Sequence, residues 1–220
     1  GASATEGAYV AYPVADMLRL VALESHRHRA IVIGEDLGTV EPAFRDGLGR
    51  HGIYGMRVLW FERDGDRFLP PPDWTRDAVA MTTTHDLPTV AGWWQGEDVR
   101  LRRAIAGDAA DPGEGHRRED DRRHLWQAFR ASGATRDPQP AATAATGPVV
   151  DAAVRHVAAA RSRLLLLSVE DALGLADQPN LPGTIDEHPN WRRRLPVPAD
   201  RALDEPAAAA RLGAVREARR

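Results

Sequence analysis

Apolar residues fall into two alternating patterns along this chain: short, nearly unbroken runs, and longer stretches at helical spacing. The runs are Ala30-Ile31-Val32-Ile33, Met56-Arg57-Val58-Leu59-Trp60-Phe61 with its single interruption at Arg57, Ala78-Val79-Ala80-Met81 leading into three threonines, and Leu164-Leu165-Leu166-Leu167. Runs of this kind predict strands buried on both faces, over residues 30–34, 56–61, 78–84 and 163–169. Between them the spacing turns helical. Pro13 opens a helix in which Val14, Met17, Leu18, Val21 and Ala22 recur on one face. A second helix starts near Thr39-Val40-Glu41-Pro42, with Ala43, Phe44 and Leu48 inward. Further helices are predicted over residues 87–94, 99–106, 119–131 and 149–160, with an Ala-rich helical tail over 200–220. Residues 63–72 and 132–147 read as loops, and 107–115 as a connector. Strands separated by helices predict an α/β fold with right-handed crossovers and parallel strands.

The chemistry gathers where the runs stop. The first ends in Gly34-Glu35-Asp36, the third in His85-Asp86, and the fourth in Glu170-Asp171. Carboxylates at the carboxyl ends of parallel strands stand where α/β folds place their sites. Paired acids at such a mouth suit glycosyl transfer, in which one protonates the leaving oxygen and others stabilise an oxocarbenium-like transition state. Trp93 and Trp94 offer flat surfaces for stacking on sugar rings, with core packing as the competing role. His26 and His28 stand two apart on a helix and so face different ways, which argues against a metal pair. The run Arg117-Arg118-Glu119-Asp120-Asp121-Arg122-Arg123 reads as a solvated face. The arginines of Pro189-Asn190-Trp191-Arg192-Arg193-Arg194 could form a basic patch, but Trp191 suggests packing instead.

Composition narrows the field. The 220 residues carry a net charge of -3, which gives no electrostatic reason to expect nucleic acid or an anionic membrane as partner. There is no cysteine, which excludes disulfides, thiolate metal sites and cysteine nucleophiles. Every basic side chain other than histidine is arginine, which excludes Schiff-base lysine chemistry and a P-loop lysine. No dinucleotide, zincin or calcium-loop motif occurs, so no cofactor and no metal is expected. With no apolar run long enough to span a bilayer, a cytoplasmic protein is the expectation.

Several segments, in order, resemble the 4-alpha-glucanotransferase family, also called amylomaltases or disproportionating enzymes. They are Gly7-Ala8-Tyr9-Val10, Tyr12-Pro13, Leu23-Glu24-Ser25, Ile33-Gly34-Glu35-Asp36-Leu37-Gly38-Thr39-Val40, Thr84-His85-Asp86-Leu87-Pro88-Thr89, Asn180-Leu181-Pro182-Gly183-Thr184 and Pro189-Asn190-Trp191-Arg192-Arg193. The resemblance runs from about Gly7 to Pro196. It implies a (β/α)8 TIM barrel and the transfer of an α-1,4-glucan segment to the 4-hydroxyl of another glucan, with maltodextrins as partners. Glu35 resembles the general acid/base, and Asp86 the carboxylate that holds the donor sugar in distorted form. His85 resembles the histidine that hydrogen-bonds that sugar. Asn180 matches a substrate-contacting asparagine, and Trp93 is a further candidate sugar contact. Asp36 reads as a structural acid.

One family motif is missing. The family's nucleophilic aspartate lies in Arg-x-Asp-His, on the strand before the one that ends at Glu35, and no such motif occurs here. Four predicted strands are also half of an eight-stranded barrel. The expectation is therefore the carboxyl-terminal half of the barrel over residues 1–198, with a helical insertion near 97–147 and a helical tail over 199–220. Its partner would be the missing amino-terminal half, and alone it would be inactive. A non-catalytic glucan-binding half barrel, and a hydrolase using water as acceptor, stay open as alternatives.

Overall fold

The computed structural model describes residues 4–8, 10–107 and 111–220. Residues 1–3, Tyr9 of the Gly7–Val10 motif and 108–110 of the expected connector lie outside the described residues. The chain divides into two compact units, Gly1–Met56 and Arg57–Arg220.

The first unit holds helices α1 (Val14–His28) and α2 (Pro42–Arg50). Proline at its first turn starts α2, and Arg29 closes α1 in the left-handed conformation, φ 51°. The run at 30–34 does not form the expected doubly buried strand. It makes one parallel bridge, Ile33 to Tyr54, through Tyr54 N–H to the Val32 carbonyl (3.0 Å) and Gly34 N–H to the Tyr54 carbonyl (2.8 Å). Among the described residues it pairs along that one edge, and Ile31 stays 62% exposed. Gly34 packs against Leu48 and Ile53, where a Cβ would already stand at 3.4 Å from both side chains.

β1 (Gly55–Val58) carries the chain onward. A hairpin of β2 (Arg63–Asp64) and β3 (Arg67–Phe68) follows, turned at Gly65 with φ 59°, where a loop was expected. Then come β4 (Ala78–Met81), α3 (Val90–Gln95), α4 (Glu97–Ala106), α5 (Glu114–Ala131), α6 (Gly147–Ala158), β5 (Leu164–Leu166), α7 (Val169–Leu173) and α8 (Pro206–Ala218). The sheet has the order β1-β4-β5, with β4 parallel to β5 in the register Val79–Leu164, Ala80–Leu165 and Met81–Leu166. The fold is thus mixed α/β with a parallel sheet and flanking helices. Among the described strands only central β4 is buried throughout. β5 lies at the sheet edge, and Leu166 is 55% exposed rather than buried on both faces as its apolar run suggested. Among the described residues no helix is long and apolar enough to cross a membrane.

The core is aromatic and partly ionic. Trp94, Trp126, Phe129, His156 and Trp74 follow one another edge to face or tilted, with centroid spacings of 5.3–6.2 Å. The charged run of α5 is solvated only in part: Arg117, Glu119, Asp120 and Arg123 are exposed, but two of its arginines turn inward. Arg118 and Arg122 are buried because they lie at i and i+4 on the same stripe as Leu125, Trp126 and Phe129. There they do polar work: Arg118 grips Asp98 of α4 with two bonds of 2.7 Å and donates to the Trp93 carbonyl at 2.7 Å. Arg122 donates to the Trp94 carbonyl at 2.6 Å. Two carbonyls at the end of α3 are thus satisfied from α5. Burial alone would push Asp98 up; the hydrogen bonds and charges of Arg118 and Arg102 outweigh it and hold its carboxyl below the ordinary range.

One buried carboxyl joins sheet and helices. Asp171 of α7 accepts the Thr82 hydroxyl, just beyond β4, and the Val90 N–H at the start of α3 (2.8 Å). Ser168 caps α7 by accepting the Asp171 N–H at 3.1 Å. Arg211 of α8 donates to the Ala172 carbonyl at 2.8 Å and to Asp151 of α6 at 2.8 Å, so the tail helix is bound into this cluster.

Asp171 and His156 tie stability to pH with opposite signs. Burial pushes Asp171 up to about 6, so as pH rises from 3.8 the unfolded chain releases a proton that the fold retains, and stability falls. Burial pushes His156 down to about 4, so as pH falls from 6.5 the unfolded chain takes a proton that the fold refuses, and stability also falls. Each effect is on the order of 3 kcal/mol across its window, and the two oppose each other where the windows overlap. Urea unfolding as a function of pH checks this. Relative to the parent, His156→Gln should lose stability as pH rises through the window, and Asp171→Asn should lose it as pH falls. Parallel curves for all three proteins would contradict it.

Candidate functional site

The predicted site residues fall in both units, and each group is described by itself. In the first unit, Glu35 follows Gly34 and is exposed. Its neighbour Asp36 is 3% exposed and structural. Asp36 accepts the Met56 N–H at 2.7 Å, and Arg45 of α2 lies 3.4 Å from its other carboxylate oxygen. Arg45 also donates to the Asp36 carbonyl at 2.9 Å. The loop that presents Glu35 is therefore tied at once to α2 and to the start of β1.

In the second unit, the loop after β4 is built by its own threonines. Thr83 donates to the Pro88 carbonyl at 2.8 Å, and Thr84 accepts the Asp86 N–H at 3.3 Å. Thr89 caps α3 by accepting the Gly92 N–H at 3.0 Å. His85 and Asp86 are held out on this short turn, with side chains 60% and 45% exposed and 3.4 Å between His85 Nε2 and Asp86 Oδ1.

Asn180 is brought to the same place from far along the sequence. Its side-chain nitrogen donates to Asp86 Oδ1 at 2.6 Å, and its backbone N–H donates to the His85 carbonyl at 3.2 Å. His85, Asp86 and Asn180 thus form one polar cluster. The segment beyond Asn180 folds back on itself: Asn190 accepts the Leu181 N–H at 2.8 Å and donates to the Thr184 hydroxyl at 2.9 Å. That return carries Trp191 beside His85, with ring centroids 5.2 Å apart.

Burial separates the two tryptophans. Trp93 is 6% exposed, stacks on Trp60 at 4.8 Å and has the Arg118 guanidinium 4.4 Å from its ring centre. It is a core residue and offers no stacking face. Its helix, α3, is buried along almost its whole length, so a surface role has no room there. Trp191 is 66% exposed and sits at φ 59°, a conformation rarely held by a bulky residue. It borders a cavity of about 350 Å³ that Leu175, Pro179, Arg193 and Arg194 also line. The clue in sequence was its place in the Asn190-Trp191 pair, next to a turn-rich segment rather than within an apolar periodicity.

The remaining sequence features add no further site. His26 and His28 are exposed, and His28 lies 3.3 Å from Glu24. Among the described residues no group of three or more His, Asp or Glu could hold a metal ion.

Comparison with known proteins agrees with these motifs. The family described as 4-alpha-glucanotransferase matches residues 1–199. The chain is 41% identical over 212 residues to a 4-alpha-glucanotransferase of Mycobacterium tuberculosis, covering 90% of this chain and 28% of that protein. It is 31% identical over 206 residues to one from Haemophilus influenzae, covering 90% and 29% respectively. Among solved structures, the amylomaltase from Corynebacterium glutamicum superposes with a TM-score of 0.81 at 26% identity, over 96% of this chain and 32% of that one. The Streptococcus agalactiae amylomaltase in complex with acarbose superposes with a TM-score of 0.68 at 18% identity, a likeness of fold alone, over 98% of this chain and 37% of that one. The chain thus spans less than a third of the curated relatives named here.

A close backbone approach supports the cluster from below. A Cβ on Gly92 of α3 would collide with the Ala176 carbonyl oxygen, four residues before Asn180. Gly92→Ala should therefore push that segment away and destabilise the protein by about 2–3 kcal/mol. Thermal unfolding checks this: a fall in Tm of at least roughly 5 °C is expected, and an unchanged Tm would contradict the close packing.

Proposed function

Because the chain belongs to the 4-alpha-glucanotransferase family, we propose that it forms the carboxyl-terminal half of a (β/α)8 barrel that transfers α-1,4-glucan segments between maltodextrins in the cytoplasm. The observation that carries this reading is the joining of His85, Asp86 and Asn180 into one polar cluster, with Asp86 and Asn180 lying 94 residues apart in sequence. Exposed apolar residues support the larger barrel. Ile31 and Ile33 in the first unit, and Leu166 and Val169 in the second, are apolar side chains that a longer chain would cover.

The reaction proposed is a retaining double displacement. A nucleophilic aspartate from the missing amino-terminal half attacks the anomeric carbon. Glu35 protonates the departing glycosidic oxygen, and the sugar is held covalently. Glu35 then removes the proton from the 4-hydroxyl of the acceptor glucan, which displaces the nucleophile. Asp86 accepts hydrogen bonds from the donor sugar's hydroxyls while Asn180 holds one of its carboxylate oxygens. His85 offers a further donor. These roles rest on the motif that each residue occupies. Exposed Trp191 adds an aromatic face beside His85 for sugar stacking.

Two experiments test the reading. In the complete protein, Glu35→Gln should abolish glucan transfer, by a factor of at least about 10³ in kcat, and leave maltodextrin affinity within roughly twofold. Near-normal turnover would overturn the assignment. Residues 1–220 alone should show no transfer, because they contain no Arg-x-Asp-His nucleophile motif. Turnover by that chain alone would show that a nucleophile lies within it.

A further inference from the structure

The segment from Gly174 to Trp191 contains no regular helix or strand, yet it sets Asn180 against Asp86. The hydrogen bond between those two side chains does not explain its own geometry. Asp86 is 45% exposed, and water competes for every donor and acceptor there. The anchor lies underneath, at Gln178.

Gln178 is 4% exposed. Its side-chain nitrogen donates to the Asp86 carbonyl at 2.9 Å and to the Asn180 carbonyl at 2.6 Å. An amide NH2 has two donors, and both are used. A single nitrogen therefore spans the loop after β4 and the loop after α7. His188, 2% exposed, donates from Nε2 to the Gln178 backbone carbonyl at 2.9 Å, which fixes the residue that carries the amide. A glutamate at this position could not donate and would set a charge against two carbonyl oxygens. A methionine would fill the volume and leave both carbonyls without this donor.

We propose that Gln178 is a positioning residue: its one buried amide locks the Asp86 loop and the Asn180 loop in a single register, and thereby sets the Asp86–Asn180 pair that holds the donor sugar. The last clause rests on the transferase reading; the register itself does not. Gln178 touches no reacting atom and acts through the residues it ties together.

The test has two arms, both in the complete protein. The first is amide hydrogen exchange with Gln178→Met. The backbone N–H groups of Asn180, Leu181 and Trp191, bonded to the His85 carbonyl, Asn190 Oδ1 and the Pro179 carbonyl, should exchange at least about tenfold faster, while those of α6 stay unchanged. Unchanged exchange at Asn180 would overturn the proposal. The second arm is a double-mutant cycle on kcat for glucan transfer. Gln178→Met should lower kcat by about tenfold or more in the parent and by less than about twofold when Asn180→Ala is already present. An equal loss in both backgrounds would assign Gln178 to general stability and overturn positioning. Should Gln178→Met fail to fold, Gln178→Asn retains an amide too short to reach both carbonyls and is judged by the same criteria. Should the parent transfer no glucan, the transferase reading fails, and the exchange arm still decides whether Gln178 sets the register.

Discussion

The buried carboxyl of Asp171 is the joint on which the second unit turns. It takes the hydroxyl of Thr82 beyond β4 and the first N–H of α3, and it belongs to α7, which follows β5. A charge so placed is costly in a low-dielectric interior, and Asp171 is pushed up to about 6 accordingly. Each of its oxygens is met by a donor, so breaking either contact would leave a buried acid undersatisfied. Sheet, helix and the turn bearing His85 and Asp86 are thereby held in one arrangement.

That joint explains why so exposed a cluster can have defined geometry. The loop after β4 begins at Thr82, which Asp171 fixes, and ends at Thr89, which caps α3. Gly92 lets α3 approach the backbone at Ala176, and Gln178 then joins the two loops. The polar groups that meet solvent stand on several that do not. The division suits sugar recognition, because a hydroxyl-rich ligand needs fixed acceptors and donors at an open surface, and fixed geometry there requires dry supports below.

Much of this was legible in the chain, and the exceptions have physical causes. The run Ala78–Met81 became a fully buried strand, as its composition implied. The equally apolar runs at 30–33 and 164–167 did not become buried on both faces, because apolar content reports a preference for burial and not which neighbours supply it. Arg118 and Arg122 looked solvated because every neighbour within residues 117–123 is charged. Their spacing of four, continued through Leu125, Trp126 and Phe129, had already placed them on the inner stripe. The burial of Trp93 and the exposure of Trp191 were hidden for a similar reason: an aromatic residue is equally at home in a core and at a surface, and only its neighbours decide. Gln178 carries no signature at all. A glutamine two residues before Asn180 is ordinary until the fold brings the Asp86 carbonyl to it.

The proposal makes His85, Asp86 and Asn180 one sugar-binding cluster. A crystal structure of the complete protein with a bound maltodextrin tests this. A glucosyl unit should lie within hydrogen-bond distance of the Asp86 carboxylate and the Asn180 side chain. A glucan chain bound elsewhere, with these residues contacting only water, would contradict it.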